Sequence, residues 1–113
     1  MVEATDVCGV LSGRNADKFE RAHLTKRPGV AVKAPYISES PAALECKVVR
    51  QIDLGSHAVF FGEVVNVLAD EQYIGANGSL LLPDGLLVAY VNGRYVATGE
   101  TLGTYAYTAK KKA

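Results

Sequence analysis

The stretch 57–68, HAVFFGEVVNVL, constrains this chain more than any other. Read with a period of two, one face carries Val59, Phe61, Val65 and Val67, and the other Ala58, Phe60, Val64 and Leu68. Both faces are apolar. Such a strand has to be covered twice, inside a barrel, under a helix or at a subunit contact. The residues before it, from Leu44 to about Leu54, alternate Leu44, Cys46 and Val48 with Glu45, Lys47 and Val49, which reads as a half-buried strand. Gly55-Ser56 turns the chain between the two and leaves His57 in the turn.

The other elements are shorter. Ala4, Val7, Cys8 and Leu11 recur at helical spacing, with Glu3 and Asp6 near the positive end of the helix and Gly13 to stop it. Asn15 is expected to cap a second helix, NADKFERAHL, with Phe19, Ala22 and His23 on one side. Pro28-Gly29 and Pro35 mark an irregular connection in which Val30, Val32 and Ala34 form a short edge strand. Residues 70–85 read as a loop, and 86–98 as a hairpin whose Asn92-Gly93 demands a type I′ turn. The architecture expected from these signals is two short helices followed by a curling antiparallel sheet, an α+β or barrel-like domain.

Composition narrows the function classes. With 12 basic and 12 acidic residues in 113, no net field attracts nucleic acid or an anionic membrane. The tail Lys110-Lys111-Lys112 reads as a solvated terminus. Cys8 and Cys46 lack any ligand spacing, so they are expected to be buried thiols of a reducing compartment, with no metal. A cytoplasmic location follows as the default, since no apolar run approaches the ~20 residues of a membrane span.

No nucleophile–base pair, GxGxxG, Walker loop or HExxH is present, which disfavours ordinary hydrolase chemistry. Three features remain. Ser12-Gly13-Arg14 runs into the second helix, with Lys18 and Phe19 one turn in. A hydroxyl, a close-approach glycine and free helix N–H groups suit an anionic or polar ligand edge. The same residues also describe a plain helix-to-helix turn with a solvated lysine and a core phenylalanine. His57 is either an ordinary turn histidine or the mouth of a ligand site. Residues 99–103, GETLG, form either a loop that admits a ligand to the backbone or an ordinary turn.

Four segments, CGVLSGRNADKF (8–19), APYISESPAALECKVV (34–49), DLGSHAVFFGEVVNVLADE (53–71) and GETLG (99–103), in this order and spacing resemble the flavin reductase-like, FMN-binding split-barrel family, and within it the flavoredoxin branch. The resemblance implies an α+β fold, mainly antiparallel β, a split β-barrel with two short N-terminal helices. Residues 1–113 then form the C-terminal portion of a single such domain. Family members carry a preceding segment that supplies the first barrel strands and much of the grip on the FMN phosphate, so the barrel is expected to be incomplete on its N-terminal side.

Carried over position by position, the resemblance implies that Ser12, Gly13, Arg14, Lys18 and Phe19, with Leu102 and Gly103, bind the cofactor. Lys18 would offset negative charge that develops on the flavin, and Phe19 would pack along a ring. His57 would face the flavin and pyridine-nucleotide pocket as the catalytic residue. Ser56 stands where the family usually has aspartate. The implied function is hydride or electron transfer between NAD(P)H, or a redox partner, and FMN in a homodimer. The alternative is a truncated module that binds no flavin by itself and acts through oligomerisation or a partner chain.

Overall fold

The computed structural model describes residues 1–110; Lys111 and Lys112 of the basic tail lie outside the described residues. The chain forms two compact units, one built on Glu3–Leu80 and one on the residues from Leu81 onward, and each is taken by itself.

In the first unit, α1 covers Val2–Val10. Its half-buried residues are Ala4, Val7 and Cys8, joined by Leu11 just past its end, which is the stripe the helical spacing picks out. The second helix, α2, is a single turn, Lys18–Arg21, and its cap is Asp17 instead of Asn15. It stops early because His23 takes a left-handed conformation (φ 54°), and the Leu24 amide turns back to the Phe19 carbonyl at 2.8 Å. This 6→1 closure is the Schellman way of ending a helix. Ala22 and His23 therefore do not continue a helical face with Phe19.

The expected edge strand at 30–34 does not form. Instead β1 (Lys26–Arg27) pairs antiparallel with β2 (Tyr36–Ile37), and residues 28–35 make the tip of that ribbon. The prolines at 28 and 35 remove two ladder donors there, which leaves the tip without strand pairing.

The long hairpin forms as the alternation demands. β3 (Ala42–Asp53) and β4 (Ala58–Ala69) run antiparallel, Ala42 facing Ala69 and Asp53 facing Ala58. Two bulges interrupt the register, one leaving Val65 of β4 and the other Val49 of β3 without a direct partner. Between them Lys47 faces Glu63, an opposite-charge pair of the kind that supports a ladder. Gly62 lies between the bulges, where a Cβ would press on the Cys46 Cβ at 3.0 Å.

Burial departs from the sequence reading. Among the described residues no apolar side chain is buried, and the one buried residue is Glu45, 4% exposed. Leu44 and Val48, members of the apolar alternation on β3, are exposed, as are Phe60 and Phe61 on β4. Cys46 is exposed and Cys8 only half-buried, so the expectation of two buried thiols is corrected. Most apolar side chains of β4 between Val59 and Val67 are left exposed.

In the second unit β5 (Val88–Val91) and β6 (Arg94–Ala97) form the hairpin, with Asn92 (φ 51°) and Gly93 (φ 75°) both left-handed as a type I′ turn requires. Tyr90 and Tyr95 face each other across it, edge to face, 5.3 Å between ring centres. A last helical turn, α3, covers Tyr107–Lys110. Among the described residues the six strands make three separate two-stranded ladders, so the expected single curling sheet does not close. Two-residue strands such as β1 and β2 are too short to bridge the others. No helix among the described residues is long and apolar enough to cross a membrane.

Candidate functional site

The segment 12–19 is built as a series of local hydrogen bonds. The Ser12 hydroxyl accepts from the Arg14 amide at 3.2 Å, and the Ser12 carbonyl from the Asn15 amide at 3.1 Å. Asp17 Oδ1 accepts from the amides of Phe19 and Glu20, at 2.9 and 3.3 Å. Those are the helix N–H groups that the sequence reading left free for a ligand, so that part of the anion grip is corrected: α2 caps itself.

Lys18 reaches back across Gly13 and donates from Nζ to the Cys8 carbonyl, 2.6 Å away in the last turn of α1. A cation at a helix C-terminus satisfies an orphan carbonyl and suits the helix dipole. Two of its three N–H donors remain. Phe19 is half-buried, and the Lys26 ammonium of β1 sits 4.7 Å from its ring centre. That cation–π contact covers one ring face. Arg14 is exposed. Ser12, Gly13, Arg14, Lys18 and Phe19 thus share one surface turn.

His57 lies elsewhere, at the far tip of the β3–β4 hairpin, roughly 25 Å of strand from Glu45. The turn is closed by Leu54 N–H to the His57 carbonyl at 2.8 Å, with Gly55 at φ 83°. The Ser56 hydroxyl lies 2.9 Å from His57 Nδ1, so the residue that replaces the expected aspartate still bonds the ring. Leu102 and Gly103 belong to the second unit. Leu102 is exposed, and a Cβ on Gly103 would meet the Tyr107 ring at 2.9 Å. The close approach that Gly103 permits is made by the chain's own tyrosine.

Two clefts of the first unit are lined by other residues. One of about 330 Å³ is bounded by Ala4, Val7, Arg21, His23 and Leu24, and another of about 290 Å³ by Tyr36, Ser38, Ser40 and Asp70. No group of three or more His, Cys, Asp or Glu among the described residues could hold a metal.

Sequence reasoning missed two contributors, Lys26 and Glu45. Lys26 carried no signal, because its contact with Phe19 depends on the β1–β2 pairing. Glu45 left a faint one, an acid inside an otherwise apolar strand. Its carboxylate accepts from the amides of Val30 (2.7 Å) and Ala31 (2.9 Å) and from Asn66 Nδ2 (2.8 Å). The Asn66 bond first, then the Ala31 amide, hold its pKa below the ordinary glutamate value.

Glu39 is lowered likewise by its bonds to Thr25, and Asp70 by its bonds to Gln72. Depressed carboxylate pKa values make the sign definite. The stabilisation is present above the ordinary carboxylate range and is lost as pH falls through the lowered values. Urea midpoints measured from pH 7 downward are expected to stay level until about pH 4.5, the region of the ordinary glutamate value, and then to fall. A midpoint that rises on acidification would contradict this.

Residues 1–99 match the flavin reductase like domain. The chain is similar to a flavoredoxin of Desulfovibrio vulgaris (Miyazaki F), 38% identical, with a TM-score of 0.79 over 96% of this chain and 58% of that one. It is also similar to a flavoredoxin from Methanosarcina acetivorans, 30% identical, with a TM-score of 0.77 over 100% of this chain and 60% of that one. An FMN-binding protein from Thermus thermophilus, solved with bound 1-cyclohex-2-enone, is 25% identical, with a TM-score of 0.66 over 91% of this chain and 57% of that one. The chain spans about three-fifths of the length of each. With the match running through both long strands and the turn at 12–19, the chain belongs to the flavin reductase-like domain family.

Proposed function

We propose that the chain contributes to an FMN site of flavin reductase or flavoredoxin type, with segment 12–19 against the flavin. The observation that carries this reading is the half-buried Phe19, one face taken by Lys26, in the same turn as Lys18. These residues fit a flat ring with a polar, electron-rich edge. Phe19 offers a face, Lys18 two N–H donors, Ser12 a hydroxyl and Arg14 an exposed cation. A phosphate cradle is not part of this turn, since Asp17 occupies the α2 amides.

When bound, the flavin supplies the redox chemistry. The residues do the rest. Lys18 brings positive charge to the ring edge while its bond to Cys8 fixes where that charge sits. Phe19 orients the ring and excludes water from one side. His57, held by Ser56, is the residue that would face NAD(P)H or another redox partner, from a second copy or from a completed barrel. The cofactor, the nicotinamide donor and a homo-oligomeric assembly all belong to this proposal.

One observation favours the second reading, in which the chain alone holds no flavin: Phe60, Phe61, Val64 and Val67 of β4 are exposed. The visible absorbance of the purified full chain, before and after adding FMN and removing the excess, separates the two. A retained flavin band supports the first reading. A folded but colourless protein that retains no added FMN supports the second. If flavin is held, Lys18→Met is expected to weaken FMN binding by about 10- to 100-fold, the range for one charged hydrogen bond. Unchanged affinity and unchanged reduction potential would remove Lys18 from the site. Far-UV circular dichroism run alongside reports whether α1 has loosened with the loss of its cap.

A further inference from the structure

The one buried residue of the described chain is a carboxylate, and it binds main-chain amides on a different element. Glu45 sits in β3, opposite Asn66 of β4. Its two oxygens divide their work. Oε1 accepts from the Val30 amide at 2.7 Å, while Oε2 accepts from the Ala31 amide at 2.9 Å and from Asn66 Nδ2 at 2.8 Å. Two successive backbone N–H groups converging on one anion make a nest, the arrangement proteins use to hold phosphates and other anions. Here the occupant belongs to the chain.

The tip of the ribbon is shaped around this carboxylate. Any Cβ on Gly29 would meet Glu45 Oε1 at 2.9 Å and would run into the main-chain carbonyls of Val32 and Ala34. Only glycine lets those carbonyls close over the nest. The ribbon that carries the tip also carries Lys26, whose ammonium covers Phe19. One continuous path therefore joins Glu45, the nest, the β1–β2 ribbon, Lys26 and the ring face at the candidate site.

We infer that Glu45 acts as an internal anion, filling a backbone nest at 30–31 and thereby positioning Lys26 over Phe19. It is a positioning residue. Its three partners are neutral, two amides and a carboxamide, so removing the carboxylate takes away the acceptor that these N–H donors share. Emptied of Glu45, the nest keeps its two amide donors and becomes a site for a small carboxylate such as formate.

The flavin part of this inference rests on the proposal that segment 12–19 faces FMN; the nest does not. The experiment therefore has two readouts on the full chain. The first is the ¹⁵N–¹H spectrum of the wild type through acid pH. The Val30 and Ala31 amides are expected to shift together in one transition below the ordinary glutamate range, and Glu45→Gln to abolish it. This readout needs no variant to be interpretable, so a Glu45→Ala chain that does not fold leaves the test standing. Flat Val30 and Ala31 amides would overturn the nest.

The second readout is FMN affinity. Glu45→Ala is expected to weaken it on the order of tenfold, as loss of a charge-assisted support does, and added formate to restore it together with the two amide shifts. A folded Glu45→Ala chain that binds FMN like the wild type, or that formate leaves unchanged, would overturn the positioning role. If the wild type holds no FMN, the flavin proposal fails, and the amide titration and formate binding still decide the nest.

Discussion

Replacing Gly29 with alanine is expected to disorder the 28–35 tip and cost the chain about 3 kcal/mol or more, the upper part of the range for forcing a methyl into filled space. The reason is the identity of what the methyl meets. A flexible side chain could swing aside, but the carbonyls of Val32 and Ala34 are main chain and can move only if the tip opens. The remaining obstacle, Glu45 Oε1 at 2.9 Å, is itself tied to the Val30 amide. Relieving one clash breaks the bond that organises the rest.

Gly9 supplies the control. It lies inside α1, an added Cβ meets nothing within 4 Å, and Gly9→Ala should stabilise the helix by roughly 0.5–1 kcal/mol. Urea denaturation of both variants beside the wild type measures the contrast. Similar midpoints for Gly29→Ala and Gly9→Ala would mean that the tip is not closed over the nest.

The second large effect concerns association. Phe60 and Phe61 follow one another on β4, opposite Gln51 and Arg50, and so point to different faces of the hairpin. They are 60% and 48% exposed. In a buried core, Phe→Ala costs about 3–5 kcal/mol. With both rings about half exposed in the chain alone, their remaining burial is expected to come on association instead.

The wild type is therefore expected to self-associate with a strong concentration dependence. The double variant Phe60→Ser, Phe61→Ser should weaken that association by about 100-fold or more, since burying each ring contributes about 1.5–3 kcal/mol. The stability of the separated chain should change little, within about 1 kcal/mol. Sedimentation velocity across a concentration series reads the first quantity and urea denaturation the second. A wild type that stays monomeric at the highest concentrations reached would show that these faces remain solvated.

Local chemistry made much of this legible. The stripe Ala4, Val7, Cys8 and Leu11 follows from helical periodicity, and the long hairpin from a period of two on either side of Gly55-Ser56. The turn at 92–93 follows from Asn-Gly, one of the few dipeptides at ease with two positive φ angles. The family was also legible, through SGRNADKF, LECKVV and the histidine turn before FFGEV. Each of these signals lies within a short span of chain, and none depends on what packs against it.

What failed to show depended on backbone conformations and polar pairings that hydrophobic periodicity does not encode, some local and some between distant residues. The helix expected from Asn15 shrank to one turn because His23 adopts a left-handed conformation that nothing in its identity demands. Helix N–H groups that looked free are taken by Asp17. On β3, period two marked an apolar alternation, yet the buried member is Glu45, because the tip of a ribbon 15 residues earlier brings two amides down onto its carboxylate. Lys26 meets Phe19 only because β1 pairs with β2. Hydrophobic periodicity specifies which side chains want cover, and turn chemistry where the chain reverses. Which polar groups meet is settled by the tertiary fold, since a carboxylate is buried only where a particular set of donors converges on it.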